Sequence, residues 1–320
     1  MENIVNDVVV GNSGYLFLYQ GGQRQFDFLL KKSFVKKENV YNFVGNIESR
    51  IKYFDKNEIK YRHLVFPSKA LVKTKFLPEE LNNVHSLYKE YYEEMLIDHN
   101  ENILYLLNML KENENNYSTF YKFDTHITVR ALLDITKELF TQLDVDFDDT
   151  IYDHLVVKDK GGDLTNMLNI KQSQKEEFLI LNNIYKVGNR EFLPGNTNEV
   201  LIMHNSKKKK RVLVFGDSFL KDMTEIFAYF FKDVVYVRSS HVHYDIVNMF
   251  DPDIVISGNA ERYMCIIQSD LQAHNFIREQ YRNKEYSPSE EFEDALFAQL
   301  SYRHNRYLYD IWKEKQEEAS

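Results

Sequence analysis

The sequence is poor in residues that interrupt regular structure, with 11 glycines and 5 prolines among 320 residues. It contains no internal repeat and no long Pro-, Gly- or Ser-rich linker. Its single cysteine, Cys265, excludes an intramolecular disulfide and suits a reducing compartment. We therefore predict a chain built mostly of helices and strands around one large core, or one core with a small appendage.

The chain also lacks an excess of positive charge. Its 49 acidic and 40 basic residues give a formal net charge of −9. Such a surface is a poor match for a nucleic-acid backbone or an anionic membrane, so we expect neither as a partner. One basic run, 207–211, precedes an apolar segment. We interpret it as a solvated strand entry, with a phosphate or polyanion contact as the alternative.

Targeting and membrane signals are missing from the sequence as well. No run approaches the roughly 20 apolar residues of a membrane span. The N-terminus has no basic segment followed by an apolar one, as a secretory signal would have. We therefore expect a cytoplasmic protein with no membrane span. A periplasmic location is the alternative if the sequence is a trimmed piece of an exported protein.

Short β-branched runs alternate with longer amphipathic stretches. The runs 63–66, 211–215, 234–237 and 254–256 are typical of buried strands, and 129–140 has the apolar spacing of a helix. This alternation predicts an α/β fold with a mostly parallel sheet. Binding and catalytic sites of such sheets form at the carboxyl ends of the strands.

The domain organisation follows from changes in this pattern. We predict a main domain over 1–275, with an irregular insertion at about 144–200, and a C-terminal helical extension over 276–320. Ser287 is the predicted cap of a helix in which Glu290 closes a capping box. The extension packs on the domain in one interpretation, and it binds a partner protein in the other.

One strand ends in a sequence suited to a nucleophile. The apolar run 211–215 leads into Gly216-Asp217-Ser218, and helical character follows over 220–231. A strand that ends in a tight turn presents a hydroxyl at the sheet edge, and Gly216 permits such a turn. The following helix start offers backbone N–H groups to an oxyanion. The alternative is an ordinary turn in which Ser218 caps the helix.

A serine needs a base, because its hydroxyl is a weak nucleophile. Asp124 and His126 lie two residues apart, just before a helix that we expect to begin near Thr128. This spacing can bring the carboxylate to the imidazole Nδ1 and leave the other ring nitrogen to face a serine. The alternative is that Asp124 caps the helix and His126 is a half-buried residue at its start.

Further motifs occur in order along residues 10–270. They are Gly-Tyr-Leu-Phe-Leu at 14–18, Phe-Pro-Ser-Lys at 66–69 with Leu-Pro at 77–78, Gly-Asp-Leu at 162–164, Asp-Pro-Asp-Ile-Val-Ile at 251–256 and Glu-Arg-Tyr at 261–263. Together with Asp-Thr-His and Gly-Asp-Ser-Phe, this series resembles the SGNH-hydrolase-like domain of the alginate O-acetyltransferases. The last fifty residues lie outside the resemblance.

The resemblance implies a three-layer SGNH-hydrolase-like domain. It implies that Ser218 is the nucleophile, His126 the base and Asp124 the residue that orients the base. It also implies that Arg238 and Tyr263 lie near the site and bind substrate or an oxyanion. The chain departs from the family in several ways. Ile127 and Tyr15 stand where the family has Trp, and we expect neither an export signal nor a carbohydrate-binding module.

Other residues are weaker candidates. Asn259 follows a strand and is either an oxyanion donor or a turn residue. His241 and His243 alternate along an extended segment, but two histidines without a nearby Cys or acidic cluster make a poor metal site. Lys69 is interpreted as a surface lysine or as a contact to an anionic group. The sequence contains no phosphate loop and no dinucleotide-binding motif, and we expect neither a resident metal nor a tightly bound cofactor.

Our leading functional hypothesis is a serine-dependent O-acetyltransferase. It would act on a sugar of a cell-surface polysaccharide, such as a capsule or exopolysaccharide, or on a sugar precursor. An acetyl donor is required, and acetyl-CoA is the candidate in a cytoplasmic setting. The alternatives are a carbohydrate acetyl esterase with the same triad and a non-catalytic glycan-binding or scaffold protein that retains the fold.

Overall fold

The computed structural model describes residues 3–195, 197–282 and 285–318. Its strands are β1 (Ile4–Val5), β2 (Val8–Val10), β3 (Leu16–Leu18), β4 (Lys60–Phe66), β5 (Ile103–Tyr105), β6 (Leu155–Lys160), β7 (Gln174–Leu179), β8 (Tyr185–Gly188), β9 (Val200–His204), β10 (Arg211–Gly216), β11 (Asp233–Val237) and β12 (Ile254–Ala260). Its α-helices are α1 (Gln25–Leu29), α2 (Lys37–Lys56), α3 (Lys69–Val72), α4 (Leu87–Tyr91), α5 (Leu107–Asn113), α6 (Val129–Leu143), α7 (Asp163–Met167), α8 (Ser218–Phe230), α9 (Tyr244–Phe250), α10 (Phe276–Arg282), α11 (Glu290–Ser301) and α12 (Arg306–Glu318).

Two units divide the chain, and neither is a continuous stretch. The first unit consists of Met1–Gly45, Leu64–Ile180 and Asn259–Ile267, and the second of Asn46–His63, Leu181–Gly258 and Gln268–Ser320. The domain boundary that we predicted between residues 275 and 276 stays a prediction. No helix of the described residues is long and apolar enough to cross a membrane.

A central, mostly parallel sheet belongs to the second unit. Its strands follow the order β12–β10–β11–β9–β8, and β4 enters beside β12, where Lys60 N donates to Asp253 O at 3.2 Å. β10 is parallel to both β11 and β12, whereas β9 is antiparallel to β11 and to β8. Every residue of β10 and β11 is buried, as expected of central parallel strands. The predicted α/β class and the four predicted strands are confirmed.

A buried carboxylate joins distant parts of the second unit. Asp233, at the start of β11, accepts hydrogen bonds from Arg211 Nη1 (2.5 Å), His204 Nδ1 (2.7 Å), Gln299 Nε2 (2.9 Å) and Tyr309 Oη (2.8 Å). Burial would raise the pKa of Asp233, but His204 and Arg211 outweigh burial and lower it to about 2. Both oxygens of this buried carboxylate thus have hydrogen-bond partners, which a buried charge needs in order to be stable.

Arg211 corrects the interpretation of the basic run. The side chain is 3% exposed, and its guanidinium stacks 3.6 Å from the ring centroid of Tyr302. Lys207, Lys209 and Lys210 are exposed, as predicted. The run is therefore a solvated entry that ends in a core residue, because the partner of Arg211 lies 22 residues further along the chain.

The C-terminal helices complete the core of the second unit. Phe292, Tyr309 and Trp312 belong to its buried cluster. The cap of α11 lies two residues later than predicted: it is Ser289, whose Oγ accepts from Phe292 N at 3.2 Å, and not Ser287. The buried apolar residues of these helices thus pack within their own unit. Binding of a partner protein by these helices stays a prediction.

The segment 144–200 is more regular than the sequence indicated. β6 and β7 form an antiparallel two-stranded sheet, with Leu155 opposite Leu179 and Lys160 opposite Gln174. The sequence prediction missed this two-stranded sheet because neither strand has a continuous buried face and both strands carry charged residues on both faces. Apolar alternation, the usual signal of a strand, needs one buried face.

In the first unit, the apolar face predicted for α6 is buried. Leu132, Leu133, Thr136 and Phe140 are buried, and the helix begins at Val129, next to the predicted start. The unit also contains the antiparallel sheet β1–β2–β3. Its part of β4 ends beside β5, where Leu106 N donates to Val65 O at 3.2 Å.

We predict that Tyr309→Phe destabilises the protein by about 1.5–3 kcal/mol, the usual cost of losing a hydrogen bond to a charged group. The lost bond is the one from Tyr309 Oη to Asp233. Urea unfolding followed by circular dichroism measures this cost. Tyr307→Phe is the matched control, because Tyr307 is 71% exposed and its change should leave the midpoint in place. Equal midpoints for both variants would contradict the prediction.

Candidate active site

The segment from Asp124 to His126 lies in a tight turn just before α6. Tyr121 N donates to His126 O at 3.1 Å, and an isolated antiparallel bridge joins Phe120 to Ile127. The chain therefore doubles back on itself around the turn. This closure holds the backbone of the aspartate and the histidine in one defined conformation.

Asp124 and His126 form a hydrogen-bonded pair. Asp124 Oδ1 is 2.6 Å from His126 Nδ1 and also accepts from His126 N at 2.9 Å. The Asp124 carboxylate therefore binds the histidine, and the alternative in which it caps α6 is not what the structure contains. Burial would raise the pKa of Asp124, but its hydrogen bonds and contact with His126 outweigh burial and hold it below its usual range. An ionised carboxylate on Nδ1 selects the tautomer whose Nε2 accepts protons.

A buried lysine supports the same turn. Lys69 Nζ donates to the carbonyl oxygens of Leu16 (2.7 Å), Tyr121 (2.6 Å), Lys122 (3.0 Å) and Asp124 (2.9 Å). Burial lowers the pKa of this ammonium to about 7, and the Asp124 carboxylate opposes that shift. Both earlier interpretations of Lys69 are wrong, because the side chain is buried and its partners are neutral carbonyls. Its Pro-x-Lys motif was visible in the sequence, but the partners were not.

A further carboxylate lies beside the pair. Asp163 Oδ2 is 4.0 Å from His126 Nδ1, and the ligand atoms of Asp124, His126 and Asp163 lie within 4.8 Å of one another. Such a spacing could hold a cation. However, Nδ1 is occupied by its hydrogen bond to Asp124, and Lys160 Nζ lies 3.8 Å from Asp124 Oδ2. A positively charged side chain thus already lies beside one of these acidic residues.

In the second unit, Ser218 is the first residue of α8. The helix is capped by Asp217, whose Oδ1 accepts from Phe219 N at 3.0 Å, so the alternative in which Ser218 is the cap is wrong. Tyr236 Oη donates to Asp217 O at 3.0 Å and ties the turn to the neighbouring strand. Ser218 is half-buried and lies where the backbone N–H groups of a helix start are directed outward.

Gly216 is required for close packing and not for the dihedral angles of a turn. It is the last residue of β10 and is paired with Gly258 on β12. A Cβ at position 216 would lie 2.5 Å from Gly258 O and 2.7 Å from Leu220 Cδ1. The absence of a side chain therefore lets α8 start directly against the sheet.

Arg238 follows β11 and leaves the sheet at the same edge as Ser218, because Phe215 and Val237 are partners in the parallel pair β10–β11. Its backbone N donates to Glu199 O at 2.8 Å, and its Nη1 lies 3.8 Å from Glu199 Oε2. Glu199 is 3% exposed and thus a fixed anchor for the guanidinium. The substrate or oxyanion role of Arg238 stays a prediction.

Asn259 and Tyr263 lie near the carboxyl end of β12. Asn259 is a residue of the strand and its Nδ2 donates to Ala260 O at 3.1 Å, so the interpretation as a turn residue is wrong. Tyr263 follows in a 3₁₀ turn, with the Arg262 guanidinium 4.8 Å from its ring centroid. Their roles at a site stay predictions.

His241 and His243 line a cleft of about 810 Å³ in the second unit. Their ring centroids are 6.3 Å apart, and His243 Nε2 is hydrogen bonded to Ser239 Oγ at 2.8 Å. Burial lowers the pKa of His243 to about 4. In the described part of the chain, these two histidines do not belong to a group of three or more ligating side chains.

Comparison with solved structures identifies similar folds. PatB1 from Bacillus cereus has a TM-score of 0.54 at 11% identity, over 82% of this chain and 99% of PatB1, and another PatB1 structure carries a sulfonyl adduct. A DHHW family protein from Eubacterium siraeum has a TM-score of 0.53 at 12% identity, over 82% and 93% of the two chains. The O-acetyltransferase domain of Pseudomonas putida AlgJ has a TM-score of 0.50 at 13% identity, over 86% and 98%.

These similarities confirm the predicted resemblance at the level of the fold. No protein-family model matches the chain. No curated protein matches it in sequence. The fold is therefore shared with proteins whose sequences are only 11–13% identical to this one.

We predict that Lys69→Met lowers the free energy of unfolding by at least about 3 kcal/mol, because it leaves several buried carbonyls without a donor. Chemical denaturation monitored by circular dichroism measures this loss. Lys75→Met is the control, since Lys75 is exposed. A Lys69→Met variant as stable as the control would show that the four carbonyl contacts contribute nothing.

Proposed function

We propose that this protein is a serine-dependent O-acetyltransferase that acts on a sugar of a cell-surface polysaccharide or on its precursor. Ser218 is the proposed nucleophile, His126 the base and Asp124 the residue that orients the base. The domain that carries them is proposed to be a three-layer SGNH-hydrolase-like domain. Arg238 and Asn259 are the proposed further oxyanion donors, and Tyr263 is proposed to bind the acceptor.

The observation that carries the proposal is the pairing of Asp124 with His126. A carboxylate 2.6 Å from Nδ1 orients the imidazole and stabilises the imidazolium that forms when Nε2 takes a proton. Two further observations support it. Ser218 begins a helix directly after a buried parallel strand, and the fold is similar to that of the O-acetyltransferase domain of AlgJ.

Acylation is the first proposed half-reaction. Ser218 Oγ attacks the acetyl carbonyl of the donor while His126 Nε2 takes the hydroxyl proton. The carbonyl π electrons move to oxygen, and backbone N–H groups at the start of α8 hold that oxyanion, with Arg238 or Asn259 as further donors. When the tetrahedral intermediate collapses, the donor's leaving group departs with the proton from His126. Acetyl-Ser218 remains.

Transfer is the second proposed half-reaction. A sugar hydroxyl gives its proton to His126 and attacks the acetyl-Ser218 carbonyl. The second intermediate collapses to the O-acetyl sugar, and Ser218 Oγ takes back the proton. Tyr263 is assigned to binding of the acceptor. Water in place of the sugar would make the same site an esterase, so acceptor dependence separates the two reactions. Acetyl-CoA is the proposed donor if the protein works in the cytoplasm.

We predict that an aryl sulfonyl fluoride labels Ser218. The serine oxygen attacks sulfur, fluoride leaves, and the hydroxyl proton passes to His126. Intact mass should rise by one sulfonyl group, and peptide sequencing should place the group on Ser218. Because the base activates the hydroxyl, His126→Gln should slow labelling by about 10²-fold or more.

The matching controls separate the proposed function from its alternatives. Ser218→Ala should lose both labelling and acetyl transfer from a chromogenic acetyl ester to a sugar. Retention of full transfer by Ser218→Ala would refute the nucleophile. Acetate release that does not depend on the sugar would identify an esterase, and absence of labelling and turnover would favour the non-catalytic alternative.

We predict that Asp124→Asn lowers kcat by roughly 10²–10⁴-fold, because an amide can stabilise the wrong imidazole tautomer. The KM of the donor should change little, since Asp124 binds His126 and not the donor. Steady-state kinetics on the purified variant measures both constants. Asp159→Asn, an exposed carboxylate on β6, is the control that should keep the wild-type rate. A rate within twofold of wild type for Asp124→Asn would refute its role.

A further inference from the structure

We propose that Asp163 is a positioning residue that clamps the turn carrying the base His126. The inference rests on the proposed function for its effect on rate, although the clamp itself is a feature of the first unit alone. It gives a role to the Gly-Asp-Leu segment at 162–164, which the sequence singled out but to which it assigned no task.

Both carboxylate oxygens of Asp163 bind Thr125, the residue between the aspartate and the histidine. Oδ1 accepts from Thr125 N at 2.9 Å, and Oδ2 accepts from Thr125 Oγ1 at 2.5 Å. The peptide between Asp124 and His126 is therefore held from the side by a charged, two-point contact. Hydrogen bonds to an ionised acceptor are the stronger kind.

The backbone of Asp163 binds the orienting carboxylate as well. Asp163 N lies 3.3 Å from Asp124 Oδ2, while Asp124 Oδ1 is used by the main chain and the ring of His126. The two aspartates thus have separate tasks. Asp124 orients the imidazole, and Asp163 holds both Asp124 and the intervening Thr125.

Gly162 allows this approach. A Cβ at position 162 would lie 1.8 Å from Phe123 O, so only glycine can pack against the residue that precedes the turn. Thr165 Oγ1 closes the clamp by accepting from Gly162 N at 3.0 Å and donating to Gly162 O at 2.8 Å. Leu164 is fully buried in a cluster with Phe123. Each residue of the segment therefore serves the same contact.

A structural role as the start of a short helix does not account for these contacts. The side chain of Asp163 begins α7, but both of its oxygens accept from Thr125, 38 residues earlier in the chain. A cation bridge among the acidic residues is the other alternative. It predicts that a chelator has the same effect as removing the carboxylate, and this can be tested.

The test compares Asp163→Ala with Asp163→Asn. Misplacement of a catalytic group by about 1 Å can cost around 10²-fold in rate. We expect Asp163→Ala to lower kcat by 10- to 100-fold with KM within about twofold. Asn can accept from Thr125 N and donate to Thr125 Oγ1, so Asp163→Asn should recover most of the rate. Asp159→Asn, exposed on the neighbouring strand, is the control for loss of a carboxylate.

A double variant and a spectroscopic readout exclude a merely structural effect. Thr125→Val removes the other partner of the clamp, so its combination with Asp163→Ala should lower kcat no further than Asp163→Ala alone. The proton shared by His126 Nδ1 and Asp124 should give a downfield NMR signal, assigned by its loss in His126→Gln. That signal should broaden in Asp163→Ala and persist in Asp163→Asn.

Several outcomes would overturn the proposal. They are an unchanged kcat in Asp163→Ala, multiplicative losses in the double variant, and loss of activity on EDTA treatment. An equal loss in both Asp163 variants with lowered thermal midpoints would also overturn it, because folding would then be the cause. If Ser218→Ala and Asp124→Asn stay active, the proposed function fails, and the NMR signal still decides whether the clamp exists. If they are inactive and Asp163→Ala is not, only the clamp fails.

Discussion

The arrangement of the first unit depends on the buried ammonium of Lys69. It binds carbonyl oxygens from β3 and from the segment that leads to Asp124, so it fixes the backbone of the turn that contains Asp124 and His126. Its donors are directed at backbone and not at a carboxylate. The Asp124 carboxylate consequently keeps its oxygens for His126 and for Asp163 N.

The second unit is also organised around one buried charged group, which here is negative. The buried Asp233 carboxylate joins β10, β11 and both C-terminal helices α11 and α12. Removal of one partner would leave a buried charge incompletely paired, which is costly in a medium that cannot solvate it. This explains why a segment that lies outside the motif-bearing part of the sequence is built into the core. In both units, one buried ion defines which distant segments must meet.

Local patterns predicted a large part of the fold. Strands that are buried on both faces have continuous apolar runs in the sequence. The helix α6 is buried along one stripe, so its apolar residues recur at helical spacing. Strands without a buried face leave no such pattern, and the two-stranded sheet β6–β7 was missed for that reason. We predicted the cap of α11 two residues too early, at Ser287, because Ser287 and Ser289 both satisfy the same local rule beside a proline. The packing of Phe292 selects Ser289 as the cap.

The sequence by itself determined the Asp-x-His spacing and the strand-to-helix position of Ser218, because both depend on neighbours within a few residues. It also determined the α/β class through alternating periodicity. Only the tertiary structure decided what Lys69, Arg211 and Asp163 do. Their partners lie 22 to 88 residues away, and no local pattern records which buried charge meets which acceptor. Long-range pairing of polar groups is decided by the packing that excludes water from them.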